Sequence, residues 1–269
     1  MTAAQLTHLS KAFALSETDA AMFVALLHFA KCGETWAELA GRTGISRHRA
    51  LKWLDAFLGR VDFDQSVRWR QCERANLYDR YTSIVDITDT QLDLKASNDV
   101  NASAFPFTSG HKGVCYKYQV TTTLQGTPIH VSAALPGRRN DVYLFEVPLR
   151  PHYTNDYCLL DGGYPGMGNH CRIPIRKPRL RPFTDEQLSS NRVLSRRRSN
   201  IERCNGLVKR FALLKKTLLD PAQHFKFVKL VLLCQHVLDR ERNLLSPRYD
   251  PSKLPLAPAA VCDCDWKKS

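Results

Sequence analysis

The order of the periodic segments along the chain is the feature that most constrains its fold. Apolar residues recur at helical spacing before residue 60, β-branched and aromatic residues then dominate short runs, and helical spacing returns after residue 190. With the capping residues, this pattern predicts helices at 17–32, 35–42, 47–58, 62–81, 192–218 and 221–245. It predicts strands at 82–86, 116–123, 127–134, 157–160 and 171–175. The chain is therefore expected to be an α/β protein.

The arrangement of the central strands narrows the fold class further. Three strands are followed by a short helix that begins at Asp141, then by two more strands and a long helix. This order is typical of an RNase H-like mixed sheet with flanking helices. We therefore expect a helical region at 1–81, the RNase H-like domain at 82–245 and an extended, proline-containing tail at 246–269.

Within the first region, residues 35–54 have the layout of a helix-turn-helix. A short helix ends near Arg42, the chain turns at residues 43–45, and Ser46 caps the second helix. The early turns of that second helix, where a recognition helix meets DNA, carry Arg47, His48, Arg49 and Lys52. The alternative is a plain helical hairpin within a bundle.

The positive charge of the chain is concentrated in one stretch. The formal net charge is +13, and residues 171–216 hold 14 Lys and Arg against three acidic residues. Such clustering favours a polyanionic partner over an evenly solvated surface. Arg176, Lys177 and Arg179 lie in its first part, before the long helix, and are candidates for phosphate contacts, which position a protein on DNA without reading its sequence.

Other function classes are disfavoured by the remaining composition. No apolar run approaches the roughly 18 residues of a membrane span, and the N-terminus lacks the pattern of a signal peptide. The nine cysteines are mostly scattered singly, which is typical of a reduced intracellular protein. Cys262 and Cys264 in the tail lack a nearby partner pair for a metal, and a surface-bound amphipathic helix remains an alternative use of the basic charge.

Three carboxylates stand in positions that suggest chemistry. Asp86 and Asp161 are each expected at the end of a strand, and Glu202 is expected within the long helix. A buried, unpaired carboxylate costs several kcal/mol, whereas a divalent cation with oxygen ligands removes that cost. Each residue alone is more often a turn former or a solvated side chain, so it is the local contexts that make the set informative.

These contexts resemble the PIF/Harbinger transposases and their bacterial insertion-sequence relatives, a branch of the DDE transposases. The resemblance runs from about Ile84 to Lys216. Two positions depart from the family pattern: Ile87 replaces a usual glycine, and Ser195 replaces the tyrosine of the bacterial branch. The motifs that carry the resemblance are, in order, Val85-Asp86-Ile87-Thr88, His111-Lys112-Gly113, Pro136-Gly137 with Asp141, Asp161-Gly162-Gly163-Tyr164, and Arg198 with Glu202 and Lys209.

The resemblance implies roles for individual residues. Asp86 and Asp161 would hold Mg²⁺ or Mn²⁺ in a two-metal site that Glu202 completes, while Arg198 and Lys209 would bind DNA phosphates, as would Lys112 of the second motif. Asp141 is interpreted as a helix cap with a metal role as the alternative. Asp89 is expected to point away from Asp86 because side chains alternate along a strand.

The resemblance also implies an activity and its partners. The expected reaction is metal-dependent strand cleavage and transfer at transposon ends, with double-stranded DNA at those ends and at the target as substrate. A homo-oligomer, a separate DNA-binding partner protein and, in a eukaryote, a nuclear location are expected on the same ground. The alternatives are a domesticated, non-catalytic DNA-binding protein and a nuclease without transfer activity.

Overall fold

The structure of the chain is a computed structural model. It describes residues 1–64, 81–91, 108–109, 113–137, 157–164, 171–177, 181–215 and 220–245. Several sequence-based predictions lie outside these ranges: most of the helix at 62–81, the helix at Asp141, the tail at 246–269 with its cysteines, and the side chains of Lys112 and Arg179.

The first four helices begin and end where local capping chemistry predicts. They are α1 (Ala3–Ala12), α2 (Glu17–Cys32), α3 (Trp36–Thr43) and α4 (Arg47–Arg60). The Ser16 hydroxyl accepts from the backbone N–H of Asp19, and Gly33 ends α2 at a φ of 66°. Gly44, at a φ of 70°, ends α3, and Ser46 caps α4 two residues later. The helices predicted at 17–32, 35–42 and 47–58 are therefore confirmed to within two residues.

The central sheet is mixed, as predicted. Its strands are β1 (Tyr81–Gln91), β2 (Thr108–Ser109), β3 (Gly113–Thr123), β4 (Pro128–Val131), β5 (Leu135–Pro136), β6 (Tyr157–Leu159) and β7 (Cys171–Arg172). The main path runs β2-β3-β1-β6-β7, and β4 and β5 also pair with β3. The pairing of β1 with β3 is antiparallel, whereas β6 is parallel to both β1 and β7. The hairpin expected at 116–134 is confirmed.

Two strand predictions were wrong in extent. The strand β1 continues to Gln91 because it pairs with β3 from Ser83 onward, so Asp86 lies in the middle of the strand and not at its end. The strand β7 stops at Arg172. Beyond it, the N–H of Ile175 donates to the Asn191 side chain at 2.8 Å, and that side chain donates back to the Ile175 carbonyl at 3.0 Å. The backbone there is bound by a helix and not by a neighbouring strand.

Two long helices complete the described fold, and one differs from its prediction. The helix α5 (Asp185–Val208) begins seven residues before residue 192, because Thr184 and Gln187 form a capping box. It ends ten residues before residue 218, and a short 3₁₀ helix follows at Ala212–Lys215. The helix α6 (Pro221–Leu245) has the predicted bounds. No helix within the described ranges is long and apolar enough to cross a membrane.

The packing joins the helical region to the sheet. Leu194 and Ile201 of α5 are buried against Ile84 of β1 and Leu159 of β6. The first four helices share one hydrophobic cluster with α6 and β3, in which Phe29 of α2 contacts Phe227 of α6 with ring centroids 5.6 Å apart. The boundary expected between residues 81 and 82 stays a prediction, and these helices and the sheet share an apolar core.

Candidate active site

The sheet brings the two candidate aspartates side by side. In the parallel pair, Ile84 of β1 lies opposite Leu159 of β6. Asp86 of β1 lies two residues after Ile84, and Asp161 lies two residues after Leu159, just beyond the end of β6, so the two aspartates follow paired positions on adjacent strands. Both follow the alternation that turns Ile84 and Leu159 toward α5. The two carboxylates therefore lie beneath this helix.

One face of α5 makes hydrogen bonds and ion pairs with aspartates on or directly after these strands. Residues 198, 202, 205 and 209 follow helical spacing and share that face. Arg198 Nη1 lies 2.9 Å from Asp161 Oδ1. Asn205 Nδ2 donates to Asp86 Oδ2 at 3.1 Å, and Lys209 Nζ pairs with an oxygen of Asp89 at 3.0 Å. We call Arg198, Glu202, Asn205 and Lys209 the inner face of α5.

Glu202 is located by these neighbours. It lies one turn after Arg198 and one turn before Asn205, both of which reach the strand carboxylates. Its own side chain is exposed. The three candidate carboxylates therefore lie on β1, directly after β6 and on α5, and of these Asp86 is partly buried whereas Glu202 is exposed.

The loop after β6 is held at several points. The N–H of Gly162 donates to Asp161 Oδ1 at 2.6 Å, and Arg176 Nη2 donates to the Gly162 carbonyl at 2.9 Å. Tyr164 is fully buried in an apolar cluster with Val85 on the opposite face of the sheet. The Asp-Gly-Gly-Tyr motif thus combines an exposed carboxylate with an aromatic anchor.

Asn205 was missed by sequence reasoning. Its side chain is 6% exposed, and its Oδ1 is buried without a hydrogen-bond partner. An unsatisfied buried amide oxygen costs about 1–3 kcal/mol, so its retention beside Asp86 calls for a reason. The available signal was its position three residues after Glu202, on the same helix face.

The segment that carries these residues matches a known protein family. Residues 85–238, more than half of the chain, match the family model described as DDE superfamily endonuclease. The chain belongs to this family. No curated protein and no solved structure matches it. The expected membership among DDE-type transposases is confirmed, whereas the PIF/Harbinger subtype stays a resemblance.

Members of the DDE superfamily generally use divalent metal ions. Within the described ranges, no group of three or more His, Cys, Asp and Glu side chains forms a metal-binding cluster. Asp161 is paired with Arg198 and Asp86 with Asn205. The donors are nevertheless carboxylate oxygens and one unpartnered amide oxygen, the ligand types that Mg²⁺ prefers. The types of donor present therefore fit a hard cation.

The predicted DNA-binding residues fall into two groups. His48, Arg49 and Lys52 of α4 are exposed, as are Arg176 and Lys177 after β7. Arg176 also donates to the Gly162 carbonyl, and the remaining described residues have contacts within the protein as well. The Arg47 guanidinium lies 5.7 Å from the Trp36 ring centroid, and its Nη2 donates to Gln223 at 3.3 Å. Arg198 and Lys209 are ion-paired with Asp161 and Asp89.

Asp89 was expected to point away from Asp86, but it contacts a residue of the inner face of α5. Strand alternation sets it on the face opposite Asp86, yet it pairs with Lys209 of the inner face. The long lysine side chain, at the end of α5, reaches it there. Asp89 therefore ties the end of the helix to β1.

Proposed function

We propose that this chain is a metal-dependent transposase with an RNase H-like fold, which cleaves and transfers DNA strands at transposon ends. The observation that supports the proposal is the pair of contacts on the inner face of α5, where Arg198 binds Asp161 and Asn205 binds Asp86, one turn before and one turn after Glu202. Membership in the DDE superfamily endonucleases supports phosphodiester chemistry. Double-stranded DNA is the proposed substrate, and the basic charge of the chain favours it.

The proposed roles follow from the contacts. Asp86, Asp161 and Glu202 would hold Mg²⁺ or Mn²⁺, which would activate the attacking oxygen and stabilise the leaving oxygen. Asn205 orients the Asp86 carboxylate through its N–H. Arg198 neutralises Asp161 in the chain without a cation and keeps a guanidinium beside the site. The exposed residues of α4 would read the DNA sequence, with α3 and α4 acting as a helix-turn-helix.

Strand cleavage by the Asp161→Asn variant tests the proposal. The substrates are labelled duplexes taken from both flanks of the gene that encodes this chain, with a supercoiled plasmid as target and Mg²⁺ or Mn²⁺ present. The wild type is expected to nick the flanks and to join them to the plasmid, whereas Asp161→Asn loses at least 100-fold in rate. The control is Asp185→Asn, which removes an exposed carboxylate at the start of the same helix.

The outcomes separate the proposed function from its alternatives. Equal rates for the wild type and Asp161→Asn contradict the assignment. Tight DNA binding without cleavage in either metal supports the non-catalytic, domesticated protein. Cleaved but unjoined products support a nuclease without transfer activity. An oligomer that pairs two ends, a separate DNA-binding partner and a nuclear location in a eukaryote are part of the proposal through family resemblance alone.

A further inference from the structure

A second row of basic residues runs along the solvent side of α5. Arg192, Arg196 and Arg203 are all exposed. Their spacings of four and seven residues keep them within about 40° of one another around the helix. We call these three residues the outer row. It differs from Arg198 and Lys209, whose charges are already paired with aspartates of the sheet.

The outer row lies beside the candidate active site. At 100° per residue, it is about a quarter of a turn from Glu202 around the helix. The surface between them carries Ser195, Ser199 and Gly206, which are small. A polyanion lying along the outer row can therefore approach Glu202 without meeting a bulky side chain.

The length of the row suits an extended chain of phosphates. Arg192 and Arg203 are 11 residues apart, which is about 16 Å at 1.5 Å per residue. Duplex DNA advances about 3.4 Å per base pair along its axis, so the row matches the axial length of about five base pairs. A single small anion would use only one end of such a row.

Repulsion within the outer row destabilises the helix, and one of its arginines is held by a hydrogen bond. Like charges four residues apart, as at Arg192 and Arg196, destabilise a helix by a few tenths of a kcal/mol. Arg203 donates through Nη2 to the side chain of Asn200, which in turn donates to the Leu124 carbonyl of the hairpin. Beyond its first turn, α5 carries a single acidic residue, Glu202, on the inner face. The excess charge is thus directed to solvent.

We propose that the outer row binds the phosphodiester backbone of duplex DNA and aligns it along α5 beside Glu202. This inference rests on the proposed function, because it names the surface that delivers DNA to the same site. Under this proposal, the DNA phosphates are bound by arginines whose guanidinium groups face solvent, and not by Arg198 and Lys209.

The test measures DNA binding without chemistry. The full chain is titrated into a fluorescein-labelled 30-base-pair duplex of arbitrary sequence, in EDTA, between 50 and 200 mM salt. Each phosphate contact contributes about 0.9 to the slope of log affinity against log salt. Arg192→Gln/Arg196→Gln is expected to lower that slope by about 2 and the affinity by at least tenfold. Circular dichroism verifies that both proteins are folded.

A charge-matched variant provides the control. Lys11→Gln/Arg60→Gln removes two exposed cations from α1 and α4 and is expected to leave the slope unchanged within 0.5. Equal losses in the two variants would show that only total charge matters and would overturn the proposal. The proposal would also be overturned if substitution of Arg192 and Arg196 weakened binding to vesicles of anionic lipid more than binding to the duplex.

The binding test is independent of catalysis. A lower salt-dependence slope that is confined to the outer-row variant supports the inference, whether or not the wild type cleaves DNA. Absence of cleavage by the wild type in Mg²⁺ would refute only the transposase activity. Conversely, a cleaving enzyme whose DNA affinity is unchanged in Arg192→Gln/Arg196→Gln keeps the proposed function and overturns the outer row.

Discussion

At the scale of single residues, the site is organised by side chains that touch the candidate carboxylates. Asp161 is held by Arg198 and by the N–H of Gly162, and Asp86 by Asn205. Groups that hydrogen-bond a metal ligand set its orientation, and their loss commonly costs 10–100-fold in metal affinity. Asn205 therefore has a testable role that does not require the reaction to be observed.

Asn205→Ala is expected to weaken Mn²⁺ binding by about tenfold, because Asp86 loses the donor that orients it. Isothermal titration of the full chain with Mn²⁺ measures the affinity. Asn200→Ala is the matched control. It removes another buried asparagine of α5, whose side chain donates to Leu124, away from the carboxylates. Equal Mn²⁺ affinities in wild type and Asn205→Ala would exclude a positioning role.

At the scale of elements, the turn of the β3–β4 hairpin packs closely against α5. Gly126 in the turn has a φ of 93°, and a Cβ built there would lie 3.1 Å from the Cβ and the carbonyl oxygen of Asn200. Only glycine adopts this conformation readily at such proximity. The turn therefore determines how closely the helix can approach the sheet that carries Asp86.

Gly126→Ala is expected to lower the free energy of unfolding by about 1–3 kcal/mol, because the new methyl group meets Asn200 and the φ angle is strained. Urea unfolding followed by circular dichroism measures the change. Gly59→Ala, in open space on α4, should instead stabilise the chain by about 0.5 kcal/mol through helix propensity. Similar effects of the two substitutions would contradict the contact.

A buried histidine links β3 to α6. The Tyr118 hydroxyl donates to His224 Nδ1 at 2.5 Å, and His224 Nε2 donates to the Leu214 carbonyl at 2.9 Å. Burial lowers the pKa of His224 from 6.5 to about 4, so the ring is neutral in the folded chain at neutral pH. The unfolded chain takes up this proton below about pH 6.5, whereas the folded chain does not.

Stability is therefore expected to be complete above pH 6.5 and to fall toward pH 4, by up to about 1.4 kcal/mol per pH unit from this group. Urea unfolding at pH 7, 6 and 5 measures the slope. His224→Gln should be less stable at pH 7 but should show a shallower decline, whereas exposed His48→Gln should match the wild type. An unchanged slope in His224→Gln would contradict the burial argument.

At the scale of the whole molecule, the first four helices are packed onto the remainder of the fold. They share a hydrophobic cluster with α6 and β3. Ion pairs join Lys226 of α6 to Asp55 of α4 at 2.6 Å, and Lys229 to Asp62 at 3.3 Å. The exposed face of α4 is thereby held in a defined relation to the sheet, which would couple DNA reading to the site.

A core substitution far from α2 tests whether these parts unfold together. Leu124→Ala, in the cluster between the sheet and α5, is expected to cost 2–5 kcal/mol. If the chain is one cooperative unit, the slowest-exchanging amides of α2 should lose the same protection in hydrogen exchange. Leu188→Ala, at an exposed site on α5, should leave protection unchanged. Loss confined to the sheet would indicate independent domains.

Much of the fold could be predicted because its signals are local. Ser16 and Gly33 bracket α2, Ser46 starts α4, and alternating residues around Gly126 predict the β3–β4 hairpin. The family was also recognisable, since its motifs consist of short runs such as Asp161-Gly162-Gly163-Tyr164. Caps, turns and periodicity depend on residues a few positions apart, so the sequence by itself determined these features.

The tertiary structure decided what depends on distant partners. Pairing with β3 extends β1 past Asp86, and Asn191 draws Ile175 away from a strand. Arg198 and Lys209, which sequence reasoning assigned to DNA phosphates, are neutralised by aspartates 37 and 120 residues away. Asn205 reaches Asp86 only because α5 packs across β1. Such pairings follow from packing, and helical spacing alone does not show which charge a side chain will meet.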